Sequence, residues 1–146
     1  MFFEYADIDR IEVGMSAFYS QTITDADVKS YAGISGDRNP VHLDDVYAEE
    51  SRFGARIAHG LLSAGFFSAI FGTRLPGPGC VYASQNLDFK RPVYIGDTVK
   101  AEVTVLSVDR DSRKVKFRTA CYVKKKIVID GQAELYIPVK KAPLQS

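Results

Sequence analysis

Apolar and polar positions change their rhythm near the middle of the chain. Residues 17–23 (AFYSQTI) alternate and predict a first strand. Thr24 followed by Asp25 and Asp27 is a helix start, an N-cap hydroxyl with acids where the helix dipole is positive. That helix is expected to turn Val28 and Tyr31 inward and to end near Gly33. Asp44 can cap a second short helix running to about Ser51 and closed by Gly54. Residues 59–71 form the longest helical segment, apolar on almost every side, which requires other elements to wrap it, with Gly72 as its stop. After the break at Pro76-Gly77-Pro78-Gly79, alternation returns in residues 81–89, 98–108, 114–123 and 127–137. The lysine run at 124–126 reads as a hairpin turn, and Asp130-Gly131 as a bulge signal. One buried helix and a set of antiparallel strands predict an α+β sheet curled around a helix, a single domain over residues 1–146.

One stretch does not fit a packing role. Residues 31–48 read YAGISGDRNPVHLDDVYA, with Gly33, Gly36 and Pro40 arguing against a continuous helix. Asp37, Asn39 and His42 fall within six positions. A carboxylate and an imidazole that reach one small site can hold a water between them, one removing a proton and the other delivering one. That is equipment for adding water across a double bond or removing it, with Asn39 orienting the water. G-D-x-N-P is equally good turn chemistry, so these residues alone leave both readings open.

A second group of candidates begins the long helix. The helix N-terminus offers unpaired N–H groups, and Gly60, without a Cβ, allows a polarised oxygen to approach them. A carbonyl oxygen that gains negative charge as water adds to a neighbouring double bond would need such a donor. His59 either lines this site or is satisfied locally at the helix start. Ser68, two turns along, either reaches Asp37 or His42 or bonds back to its own helix; Ser63 is the weaker variant of that idea.

Composition narrows the function. The 146 residues suffice for one domain with one core, and 46% hydrophobic with 25% charged residues are globular values. A net charge of +1 argues against gripping nucleic acid through its phosphates, and the late basic runs at 124–126 and 140–141 read as solvated. Cys80 and Cys121 lack CxxC spacing or a nearby His, so free thiols and no metal centre are expected. The acidic, apolar start is not a signal peptide and no apolar run approaches membrane-spanning length, so a soluble cytoplasmic protein is expected. No nucleophile elbow, Walker loop or dinucleotide fingerprint is present.

The stretch resembles the signature of the MaoC-like, or (R)-specific enoyl-CoA hydratase (hydratase 2), family. Tyr31, Ser35-Gly36-Asp37, Asn39-Pro40-Val41-His42 and Ala48 match it without departure, and the likeness continues through Ala58-His59-Gly60, Phe89-Lys90-Arg91-Pro92-Val93 and Gly96-Asp97. The resemblance implies the hotdog fold, a homodimer joined through its sheets, and reversible syn addition of water to trans-2-enoyl-CoA giving (R)-3-hydroxyacyl-CoA. Asp37 and His42 would share the water, with Asp37 activating it and His42 protonating Cα, roles that are exchangeable in a coupled pair. The Gly60 N–H would stabilise the enolate. Lys90 and Arg91 would meet the phosphates of coenzyme A, which is part of the substrate, so no cofactor is expected. The alternatives are a dehydratase for another acyl-CoA or acyl-carrier-protein substrate, and a non-catalytic hotdog subunit. Tyr82, Phe66 and Phe67 are candidates for the side chain that limits pocket depth.

Overall fold

The computed structural model describes residues 5–140. After a short 3-10 turn, Ile8–Arg10, the elements in order are β1 Ser16–Thr22, α1 Asp25–Ser35, α2 Pro40–Leu43, α3 Asp45–Glu50, α4 Gly60–Thr73, β2 Val81–Gln85, β3 Asp88–Phe89, β4 Thr98–Asp109, β5 Lys114–Val123 and β6 Lys126–Tyr136. The strands form one antiparallel sheet in the order β1-β4-β5-β6-β2, with β3 also paired to β6.

Period-two patterning sets the faces of this sheet. Val99, Ala101, Val103 and Val105 of β4, Val115 and Phe117 of β5, and Ala133 and Leu135 of β6 are all buried. Their partner is α4, which buries Ser63, Phe67, Ile70 and Phe71, and Phe71 packs edge-on to Phe117 with centroids 4.9 Å apart. Fully burying each such aromatic is worth about 1.5–3 kcal/mol, so this contact anchors helix to sheet. The lysine turn behaves as expected: Lys124 and Lys125 take positive φ, the conformation of a tight two-residue hairpin, while Lys141 of the other basic run lies outside the described residues.

Several boundaries differ from expectation for local reasons. Helix α1 runs through Gly33 and stops at Gly36, whose φ of 80° makes it the left-handed cap; the start has the expected Thr24 cap, completed into a capping box by Asp27. Helix α4 likewise runs past Gly72 and ends at Arg74. The break in the helix expected around Gly36 and Pro40 is present over residues 36–39, and Pro40 then opens the helical turn α2, because the first position of a helix needs no N–H donor. The predicted strand over residues 81–89 is two pieces, β2 and β3, with Asn86 and Leu87 between them. Asp130-Gly131 makes no bulge: both residues pair in register within β6, and the irregularity there falls between Ile127 and Ile129.

The packing of α4 is one-sided within this chain. The sheet wraps only one side of it, leaving Leu61 57% exposed and Gly65, Ser68, Ala69 and Gly72 exposed along the same flank. No helix is long and apolar enough to cross a membrane.

Candidate active site

The short helix α2 exists because Asn39 caps it, its side-chain oxygen accepting from the Val41 N–H at 3.3 Å. The helical turn buries Val41 and His42. His42 is then fixed from three directions. Its Nδ1 lies 2.7 Å from the Ile57 carbonyl, and since a carbonyl only accepts, Nδ1 carries the proton and Nε2 holds the free lone pair. Its ring stacks on His59, with centroids 3.8 Å apart and planes at 28°. Its backbone carbonyl accepts from Arg56 Nε at 2.7 Å. Burial pushes the imidazole below its ordinary value of 6.5; nearby His59 and Arg56 act in the same direction, and the Ile57 carbonyl and Asp37 oppose it.

Asp37 is exposed, on the loop between α1 and α2. One carboxylate oxygen accepts from the Asn39 N–H at 3.1 Å, an Asx turn, and Ser35 Oγ accepts from the Asp37 N–H at 3.1 Å. The turn reading is therefore correct, and it coexists with proximity to the imidazoles. One ligating atom each from Asp37, His42 and His59 all lie within 4.8 Å of one another. Two hydrogen bonds of about 2.8 Å meeting at a tetrahedral water span about 4.6 Å, so a water fits between such groups. The three could also be considered as metal ligands. Stacked rings, however, aim their lone pairs along nearly parallel planes, an arrangement that does not converge on one ion.

His59 is satisfied locally at one nitrogen. Its Nε2 donates to the Asp37 carbonyl at 2.9 Å, and its ring stacks on His42 and meets Tyr31 at a tilt, with centroids 4.6 Å apart. It is 3% exposed, and its Nδ1 makes no hydrogen bond among the described residues. His59 thus clamps the Asp37 loop onto the His42 ring.

Asp37, His42, His59 and Gly60 line one cavity of about 460 Å³, of a size suited to a small-molecule ligand. Gly60 is the first residue of α4, and among the described residues its N–H has no hydrogen-bond partner. Lys90 and Arg91 are exposed on the cavity wall, and the Arg91 guanidinium also donates to the Ile127 carbonyl at 2.6 Å.

Two expected site residues stand elsewhere. Asn39 uses its side-chain oxygen as the α2 cap and does not line the cavity. Ser68 is exposed on the uncovered flank of α4, away from the cavity, with no side-chain hydrogen bond among the described residues. Ser63 is the inward serine, fully buried, and its hydroxyl bonds neither Asp37 nor His42. The proposed depth-limiting residues also lie off this cavity: Phe66 packs on Tyr19, Tyr82 on Phe71, and Phe67 in the core.

Sequence reasoning missed Arg56, Arg52 and Phe53. The Arg56 side chain is 11% exposed and joins the His42 carbonyl to Asp25 at the start of α1, the latter at 2.6 Å. An arginine among loop residues gives no linear sign of this. Arg52 and Phe53 line the cavity, with the Arg52 guanidinium 5.3 Å from the Phe53 ring centroid. Arg52 makes a third cation there beside Lys90 and Arg91.

Residues 10–131 match the MaoC like domain family. The chain is 50% identical over 130 residues to an (R)-specific enoyl-CoA hydratase of Rhodospirillum rubrum, covering 89% of this chain and 90% of that one. It is 45% identical over 131 residues to a 3-hydroxybutyryl-CoA dehydratase of Methylorubrum extorquens, covering 90% and 83%. Among solved structures it resembles an (R)-hydratase from A. caviae involved in PHA biosynthesis, with a TM-score of 0.86, 37% identity, and 88% and 98% of the two chains covered.

Proposed function

The chain belongs to the MaoC-like family, and from that membership we propose that it is an (R)-specific enoyl-CoA hydratase, a hydro-lyase adding water reversibly to trans-2-enoyl-CoA. The observation that carries the reading is the Asp37 carboxylate and the His42 ring brought within 4.8 Å of each other, with the His42 Nδ1 already committed to Ile57. His42 Nε2 accepts one proton of the water and the Asp37 carboxylate accepts a hydrogen bond from the other. The water oxygen bonds to Cβ, the alkene electrons move toward the thioester, and its oxygen takes up charge at the Gly60 N–H. The imidazolium then returns its proton to Cα on the same face, so the net change is one O–H and one H across the double bond, added syn. The fixed tautomer favours this allocation over one in which Asp37 removes the proton and His42 enters already protonated.

These steps move water and protons only and invoke no cofactor; coenzyme A belongs to the substrate. Lys90, Arg91 and Arg52 supply positive charge near the mouth for its phosphates. We further propose a homodimer in which a second copy covers the exposed flank of α4 and the open edge of β2, where Val81 and Tyr82 are exposed. The free thiols of Cys80 and Cys121 suit the reducing cytoplasm, where we expect the protein to act.

The test follows loss of the conjugated enoyl absorbance of crotonyl-CoA with purified protein, coupled in turn to (R)- and (S)-specific dehydrogenases. Signal with the (R)-specific enzyme alone is expected. Coupling through the (S)-specific enzyme, or no turnover of any enoyl-CoA by folded protein, would overturn the proposal; turnover of enoyl-acyl-carrier-protein alone would move it to the carrier-bound substrate.

A further inference from the structure

Gly60 has an ordinary helical backbone, so nothing in its conformation calls for glycine. What excludes a side chain is Phe89. A Cβ built on Gly60 would lie 2.5 Å from Cε1, 2.6 Å from Cδ1 and 3.3 Å from Cζ of that ring. The ring therefore rests edge-on against the residue that begins α4, beside an N–H with no partner among the described residues. Its backbone is held firmly: Phe89 pairs with Ile129 in the β3–β6 ladder, and the next N–H, on Lys90, donates to the Val128 carbonyl at 2.8 Å. Phe89 is 54% exposed as a residue, enters no aromatic pair among the described residues, and lines the same cavity as Asp37 and His42. A large apolar ring held half in water at the mouth of a cavity is an unfinished contact, completed when an apolar surface arrives.

We propose that Phe89 is a substrate-contacting residue that walls the Gly60 N–H, presses the planar enoyl thioester into line with that donor, and keeps water from competing for it. This rests on the enoyl-thioester reading above. A donor shielded from solvent is worth more to a developing enolate than one open to water, since the local dielectric falls. Glycine at 60 and phenylalanine at 89 are then a matched pair: the ring takes the volume that the missing Cβ leaves.

A double-mutant cycle tests this with two independent readouts. Phe89→Ala is expected to lower kcat/KM about tenfold through lost shielding and contact, and Phe89→Leu, which keeps bulk, by less. Gly60→Ala retains the N–H but drives the ring into the cavity, and a misplacement of that kind is expected to cost about 10²-fold or more. In the Phe89→Ala background the same Gly60→Ala change should cost under about threefold. Thermal stability should follow the same logic with a change of sign. Gly60→Ala lowers Tm in the wild-type background and leaves or raises it in the Phe89→Ala background, where alanine's helix preference is unopposed. An equal cost of Gly60→Ala in both backgrounds would overturn the pairing. Coupling seen in Tm but not in turnover would overturn the substrate role. Wild-type protein inert toward every enoyl thioester would sink the hydratase reading itself and the substrate role with it, while the Tm cycle still decides the pairing.

Discussion

Gly131→Ala isolates a backbone contact next to β3, the strand whose Phe89 reaches the cavity. Gly131 lies in β6 with ordinary extended backbone, yet a Cβ there would stand 2.0 Å from the Asn86 carbonyl oxygen and 3.0 Å from its carbon. The obstacle is backbone, so no rotamer change relieves it. Asn86 is also tied down on both sides: its N–H donates to the Gln132 carbonyl at 3.0 Å, and its side-chain oxygen accepts from the Gln132 N–H at 2.9 Å. Retreat of more than an ångström breaks both bonds, each worth about 0.5–1.5 kcal/mol, and strains the β3–β6 pairing beyond them. A loss of about 2–4 kcal/mol follows, or a Tm drop of roughly 5–15 °C for a chain of this length. Circular-dichroism melts and urea midpoints measure it, with Gly33→Ala as control. Gly33 is helical with nothing near its Cβ position, and alanine there should stabilise by up to about 1 kcal/mol. A Gly131→Ala protein melting within about 2 °C of wild type would refute the steric reasoning. Phe89 and Lys90 follow Asn86 within four residues, so surviving folded protein should also lose turnover.

Other perturbations address the site directly. Asp37→Asn and His42→Ala should each lower kcat by about 10²–10⁴-fold with native circular dichroism, and near-full activity in both folded variants would rule out the shared-water mechanism. Because burial holds His42 below its ordinary 6.5, the acid limb of kcat/KM should lie below that pH; a limb above it contradicts a neutral resting imidazole. The same shift has a stability sign: the unfolded chain binds the proton more readily, so the His42 contribution is present above about pH 6.5 and fades as pH falls toward the lower folded value. That part of the Tm–pH curve should vanish in His42→Gln. Arg56→Met removes the donor to the His42 carbonyl and should cost about 1.5–3 kcal/mol and lower kcat, read by melts and initial rates; unchanged kcat would mean that α2 needs no such brace.

The fold was largely legible because its strands alternate cleanly and its helix starts carry recognisable caps. Residues 114–123 were predicted as a strand and are β5, bounded by a turn at each end. Prediction failed where a residue's meaning depends on distant partners. Gly33 and Gly72 read as helix stops, but glycine terminates a helix only where the chain turns left-handed, as at Gly36. Gly131 read as a bulge signal, although its reason is the close approach of Asn86, 45 positions away. The same limit governs the site. Asp37, His42 and Gly60 could be nominated from local chemistry, and all three share the cavity. Position along the helix favours Ser68 over Ser63, and only helix rotation against the sheet reveals that Ser68 faces outward. Arg56 had no local signal because its two hydrogen-bond acceptors and its further ion-pair partner Asp45 come from α1, α2 and α3.

The contrast between the two central side chains bears on how the work is divided. His42 is buried, its tautomer set by Ile57, its plane by His59 and its backbone by Arg56. Asp37 is exposed on a loop, held through its backbone by Ser35 and His59, with one carboxylate oxygen engaged by Asn39. A group that must give a proton to one face of Cα needs a fixed direction, since misplacement by about an ångström costs about 10²-fold. An ionised group that orients water and balances charge tolerates more freedom, because its Coulomb interaction falls only gradually with distance. The rigid imidazole is therefore suited to the stereochemical step and the exposed carboxylate to supporting it. His59 connects the two: one ring nitrogen holds the Asp37 carbonyl while the ring face supports His42. Replacing it by leucine should reduce kcat more than it raises KM, because the alignment of the pair is lost while the cavity walls remain; a change confined to KM would argue against this division.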